Sequence, residues 1–118
     1  MVAATRTNAS KEDTSVLTFE EVRWTTPDGR EVLGGVSGIV VGGTVTAILG
    51  ASGAGKTTLL QTLGGQHVPT SGTVLFNGAP ISSASKRYIG LVPQEDVILP
   101  TVTVEEAISF SAAVRDPA

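Results

Sequence analysis

The chain has 118 residues, 41% of them hydrophobic and 16% charged, which fits one globular domain or a piece of one and excludes a disordered chain. It has no cysteine, so a disulfide scaffold, a thiolate metal site and a cysteine nucleophile are excluded. The net charge of −3, with no basic stripe, argues against a nucleic-acid partner.

Residues 1–15 are polar and mixed in charge and are expected to form a disordered lead-in. They lack the apolar segment of a signal peptide, and Asn8-Ala9-Ser10 reads as a chance glycosylation sequon. Val16–Trp24 alternates apolar and polar residues and predicts a strand. Pro27-Asp28-Gly29 is turn chemistry. Glu31–Val41 predicts one or two short strands, broken by Gly34, Gly35 and Gly38. Thr44–Leu49 is β-branched and apolar, as a buried strand would be. A glycine-rich loop follows over Gly50–Gly55, then a helix over Lys56–Leu63 that Gly64-Gly65 ends. Thr73–Phe76 predicts a strand, Asn77-Gly78 a tight turn and Tyr88–Val92 a further strand closed by Pro93. The last element is a helix over Thr103–Val114, with Thr103 as N-cap and Glu106 three residues on in capping-box form. The order of elements predicts an α/β fold. The charge-free stretches 32–55 and 57–85 are too rich in Gly, Pro, Ser and Thr to read as membrane spans.

The strongest chemical signal is Gly50-Ala51-Ser52-Gly53-Ala54-Gly55-Lys56-Thr57, a full G-x-x-x-x-G-K-[ST] phosphate loop. Glycines let successive backbone N–H groups turn inward on phosphate oxygens, and the N-terminus of the helix that follows adds positive potential. Lys56 brings a full positive charge for the β- and γ-phosphates. The Thr57 hydroxyl is a hard donor suited to Mg²⁺, and Thr58 can donate to a nearer phosphate. A dinucleotide fingerprint fits less well, because the sixth position counted from Gly53 is Thr58 and not glycine. A guanine-reading Asn-Lys-x-Asp is absent, and small kinases open with the loop nearer the N-terminus.

These residues resemble the ATP-binding domain of an ABC transporter. The likeness rests on Gly50–Leu60, on Pro27–Ser37, on Thr70–Gly78 and on Gly90–Asp96, which looks like that family's Q-loop. Leu99–Arg115 resembles the G subfamily, the White-type half-transporters. The resemblance implies a P-loop NTPase fold: an N-terminal antiparallel β subdomain plus the first strand, phosphate loop and helix of the core. Residues 16–118 would form an incomplete domain of this kind. The resemblance also implies ATP and Mg²⁺ as ligands, with Gly50–Thr58 on the phosphates. Lys56 and Gln94 would be the catalytic residues, and Thr57 and Gln94 would face the metal. The partners implied are a second ATP-binding domain, head to tail, and a transmembrane domain at the cytoplasmic face of a membrane, exporting a lipid-like or hydrophobic substrate.

Two departures qualify the likeness. The family's adenine-stacking aromatic is replaced by Thr26, and the nearest aromatic, Trp24, reads on alternation as packing in the sheet. The family's signature motif, Walker B acid with its catalytic Glu, and switch His all follow the Q-loop, and the chain stops at Ala118 before them. Nothing present replaces them: Glu20-Glu21 read as a solvated strand end, Glu105-Glu106 as first-turn acids, and His67 as a surface residue. The 118 residues alone are therefore expected to bind ATP with negligible turnover. A free-standing MgATP-binding module and a small phosphate-loop kinase are the competing expectations.

Overall fold

The computed structural model describes the backbone of residues 2–7, together with residues 15–95 and 97–115. Among these described residues, six strands and three helices follow in chain order. These are β1 (Val2–Thr7), β2 (Val16–Thr25), β3 (Glu31–Val41), β4 (Thr44–Leu49), α1 (Lys56–Leu63), β5 (Ser71–Phe76), β6 (Ala79–Pro80), α2 (Ser83–Lys86) and α3 (Val104–Arg115). An antiparallel sheet has the order β3-β2-β5-β6, and β1 pairs antiparallel with β4.

The apolar spacing of β2 carries an irregularity. Leu17 and Phe19 are two apart, but the next core residue, Val22, is three further on. A strict period of two would send Val22 to the opposite face. A bulge at Glu20-Glu21 restores the parity: the register passes from Phe19↔Gly38 to Val22↔Val36, and Glu21 takes φ 48°. The Glu21 N–H, freed from the ladder, donates to Ser37 Oγ at 2.8 Å. On the other side of the bulge Gly72, at φ +86°, lies against the Glu20 and Glu21 carbonyls, where a β-carbon would have no room.

β3 runs unbroken through Gly34, Gly35 and Gly38, so of the one or two short strands expected there the structure has one, 11 residues long. Its Leu33 joins Phe19, Val22, Leu59 and Leu63 as the buried core, with Trp24, Val36, Val40, Ile48 and Val74 packed around them. Leu59 and Leu63 are four apart and share one helix face, so α1 lies with that face on the β2–β3 ribbon. Burial of each leucine stabilises the packing by about 1.5–3 kcal/mol. The turns fall where the sequence puts them. Asn77 and Gly78 both have positive φ, 50° and 79°, as a two-residue hairpin turn requires.

Three expectations need correction. Val2–Thr7, placed by sequence in a disordered lead-in, forms β1, and it supplies the ladder that β4 finds nowhere else among the described residues. Residues 8–14, with the sequon at Asn8, lie outside the described residues. β4 is not buried: exposure alternates along it, with Val45 and Leu49 outward, because only one of its faces is covered. Tyr88–Val92 forms no strand. The Tyr88 and Ile89 N–H groups donate back to the Ser85 and Lys86 carbonyls at 3.0 Å, and a strand there would need a neighbouring ladder that the described residues do not offer.

α3 begins as the sequence indicates. The Thr103 N–H and hydroxyl both donate to Glu106 Oε2, at 2.8 and 3.1 Å, and the Glu106 N–H donates to Thr103 Oγ1 at 3.2 Å. Val104, Ile108, Phe110 and Val114 of this helix are exposed.

Candidate nucleotide-binding site

The phosphate-loop sequence joins β4 to α1. Loop and helix are continuous because Gly55 serves as the N-cap of α1, at φ 91° and ψ 17°. That conformation is open to glycine and strained for other residues. Space excludes a side chain there as well: a β-carbon on Gly55 would lie 3.0 Å from the Val32 carbonyl and 3.2 Å from Leu33 Cδ2. The loop is thus pressed onto the start of β3. Gly53 also has positive φ, 79°, but with open space around it. Between them the chain turns on itself, the Ala54 N–H donating to the Ala51 carbonyl at 3.0 Å.

The Lys56 ammonium folds back over this turn and donates to the Gly50 and Ala51 carbonyls, at 2.7 and 2.8 Å. One full positive charge therefore sits at the mouth of the loop. No acidic residue lies in the first turn of α1, and no side chain caps it. The unpaired N–H groups and positive dipole end of the helix are left facing the same place. Ala51, Ser52, Gly53 and Thr57 are exposed, and Thr58 is half-buried. The Thr57 hydroxyl makes no hydrogen bond among the described residues and is a hard oxygen donor, so it fits a Mg²⁺ ligand. The Thr58 carbonyl accepts from the Thr62 hydroxyl at 2.7 Å, which satisfies the buried polar group on the helix's inner face.

Gln94 stands apart. It is exposed in the segment between α2 and α3, and among the described residues no hydrogen bond joins it to Gly50–Thr58. The structure brings together the contiguous candidates and leaves the distant one separate.

Glu21 lies 3.8 Å and Glu31 3.2 Å from the Arg23 guanidinium, in an exposed cluster on the β2–β3 ribbon. Both acids are held in ion pairs, and Glu21, expected at a strand end, lies at the bulge within β2. Among the described residues, Glu106 is the carboxyl whose pKa is displaced. Its hydrogen bonds from the Thr103 backbone N–H, and secondarily from the Thr103 hydroxyl, favour the charged form and hold the pKa below the ordinary carboxylate value.

One contact was not legible. His67, read as a surface residue, stacks on Trp24 with ring centroids 4.9 Å apart and planes 15° apart. Trp24 packs against the sheet core, as its alternation predicts. Thr26 is engaged in the β2–β3 turn: its hydroxyl donates to the Arg30 carbonyl at 3.2 Å and accepts from the Arg30 N–H at 3.0 Å. Among the described residues no helix is long and apolar enough to cross a membrane.

Comparison with known proteins agrees with this geometry. The family model described as ABC transporter matches residues 33–116. Over 110 residues, 90% of the chain, the sequence is 44% identical to the ABC transporter ATP-binding protein/permease PDR18 of Saccharomyces cerevisiae. Over 89 residues, 75% of the chain, it is 47% identical to ABC transporter G family member 14 of Arabidopsis thaliana. It spans 8% and 14% of the length of these two relatives. Among solved structures, a bacterial Atm1-family ABC exporter with ATP bound superposes with a TM-score of 0.60 at 28% identity, over 93% of this chain and 22% of that one.

Proposed function

The chain belongs to the ABC transporter family and resembles its G subfamily, and on that premise we propose that it binds MgATP through Gly50–Thr58 as part of an ATP-driven exporter. The observation that carries the reading is the Lys56 ammonium, held at the loop mouth by the Gly50 and Ala51 carbonyls in front of an uncapped helix N-terminus. Backbone N–H groups of the loop and helix start, other than that of Ala54, would take the phosphate oxygens. Lys56 reaches the β- and γ-phosphates and offsets their charge. Mg²⁺, when bound, would supply positive charge beside the phosphates. The Thr57 hydroxyl would hold it, with Gln94 as a second ligand drawn in from the segment before α3.

The wider proposal extends the family membership to the whole protein. Two such domains pair head to tail on the cytoplasmic face of a membrane, each ATP lying between the loop of one and the partner domain. Closure of the pair drives a transmembrane domain that exports a hydrophobic, lipid-like molecule.

The test is isothermal titration of the protein with ATP and Mg²⁺. Saturable binding that Lys56→Ala abolishes or weakens strongly supports the reading. No binding by the wild type, or binding indifferent to Lys56→Ala, overturns it.

A further inference from the structure

We propose that Trp24 and His67 form a clamp that positions α1 and its phosphate loop, and that Trp24 is thereby withheld from any nucleobase. The proposal rests on the reading that Gly50–Thr58 binds the phosphates of a nucleotide.

α1 is fixed to the β2–β3 ribbon at both ends. At its entrance, Gly55 is pressed on Val32 and Leu33. Leu33 is the cross-strand partner of Trp24. At its exit the helix is closed by Gln66 and His67, whose N–H groups both donate to the Gln61 carbonyl, at 2.9 and 3.3 Å. This closure carries the imidazole onto the Trp24 ring. The following residues extend the attachment to β2: the Thr70 N–H donates to the Arg23 carbonyl at 2.8 Å, and the Thr25 N–H donates to Thr70 Oγ1 at 3.0 Å. One pair of adjacent strands therefore meets α1 before its first turn and after its last. A shift of α1 along the ribbon must break the ring stack.

Stacking sets the ring's place. His67 Nδ1 is buried and has no hydrogen-bond partner among the described residues, so no polar contact there fixes the ring. A flat contact between two aromatic rings is worth more than the area it buries. Trp24 has one face taken by His67 and is packed against the sheet core, so that face is closed to a base. The turn that follows offers no replacement, because the Thr26 hydroxyl is spent on Arg30. The phosphates then carry the affinity, and the clamp acts on them through the placement of the loop.

The experiment compares two probes, MgATP and Mg-tripolyphosphate, which share the phosphates and differ in the nucleoside. Affinities are measured by calorimetry for the wild type, His67→Ala, His67→Phe and Trp24→Ala. The expected result is that His67→Ala and Trp24→Ala weaken both probes by the same factor, roughly two- to tenfold, and that His67→Phe restores both. A base platform behaves otherwise. There, Trp24→Ala weakens ATP by at least roughly fivefold and leaves tripolyphosphate unchanged, while His67→Ala leaves both probes alone or tightens ATP. Either result overturns the proposal, as does a His67→Ala or Trp24→Ala variant that binds both probes like the wild type. If the wild type binds neither probe, the phosphate-loop reading itself fails and the proposal falls with it. His67→Ala and His67→Phe leave Trp24 and the core leucines in place, so the outcome does not depend on Trp24→Ala folding.

Discussion

The ring of Phe19 lies across Gly38, its partner on the adjacent strand. A β-carbon on Gly38 would fall 2.6 Å from Phe19 Cζ. Phe19 is buried and packed, so it cannot swing away without opening the core. The prediction is that Gly38→Ala destabilises the fold by about 1–3 kcal/mol, the usual cost of overpacking. Denaturant unfolding measures it. A neutral effect would mean that the Phe19 ring is free to move.

Gly72 and Gly53 make a matched pair for separating strain from collision. Both have positive φ, 86° and 79°. Gly72 lies against the carbonyls of the β2 bulge, whereas Gly53 has nothing within 4 Å. Gly53→Ala should cost only the backbone term, about 1–2 kcal/mol. Gly72→Ala adds a clash with backbone that cannot rotate away, and about 3 kcal/mol or more is expected. Equal losses in the two variants, read from the same unfolding curves, would contradict the placement of Gly72 against the bulge.

These positions show what the sequence could and could not disclose. The helix Lys56–Leu63, the Thr103 cap and the Asn77-Gly78 turn were legible because each is settled within a few neighbouring residues. The bulge at Glu21 was hidden, since a glutamate at positive φ has no composition signature. Tyr88–Val92 has the composition of a strand, but a strand also needs a neighbour, and composition does not name one. The same holds for β4, whose apolar run reads as buried although one face is open. The Trp24–His67 stack joins residues far apart in the chain, and no periodicity links them. Within the candidate site, the loop and helix start over Gly50–Thr58 were legible as local structure. Gln94 rests on the family likeness alone.

Acid should loosen the start of α3. The folded pKa of Glu106 is depressed, so its contribution to the cap is fully present above the ordinary carboxylate value and is lost as pH falls through the lowered one. The loss begins below about pH 4.5. Amide chemical shifts at Thr103 and Glu106 should titrate together in that range. In Thr103→Ala the Glu106 titration should move up toward the ordinary value. An unchanged titration in that variant would show that Thr103 is not its cause.

Lys56→Ala should weaken MgATP binding roughly ten- to a hundredfold, as loss of a charged hydrogen-bond donor predicts. Thr57→Ala should behave differently. It should remove most of the gain in ATP affinity that Mg²⁺ brings, roughly tenfold or more, and leave metal-free ATP binding near the wild-type value. Titrations with and without Mg²⁺ separate the two. An equal loss in both conditions would assign Thr57 to the phosphates and not to the metal.

Trp24 is the only tryptophan in the chain, and its ring is in contact with an imidazole. The folded protein therefore carries an intrinsic emission signal that originates at a single contact, where the neighbouring histidine ring can quench it. Separation of the exit of α1 from β2 changes the intensity and wavelength of that light whether or not the rest of the fold is lost. A departure of this signal from the far-ultraviolet circular dichroism during unfolding would time the detachment of the phosphate-loop helix separately from the collapse of the sheet.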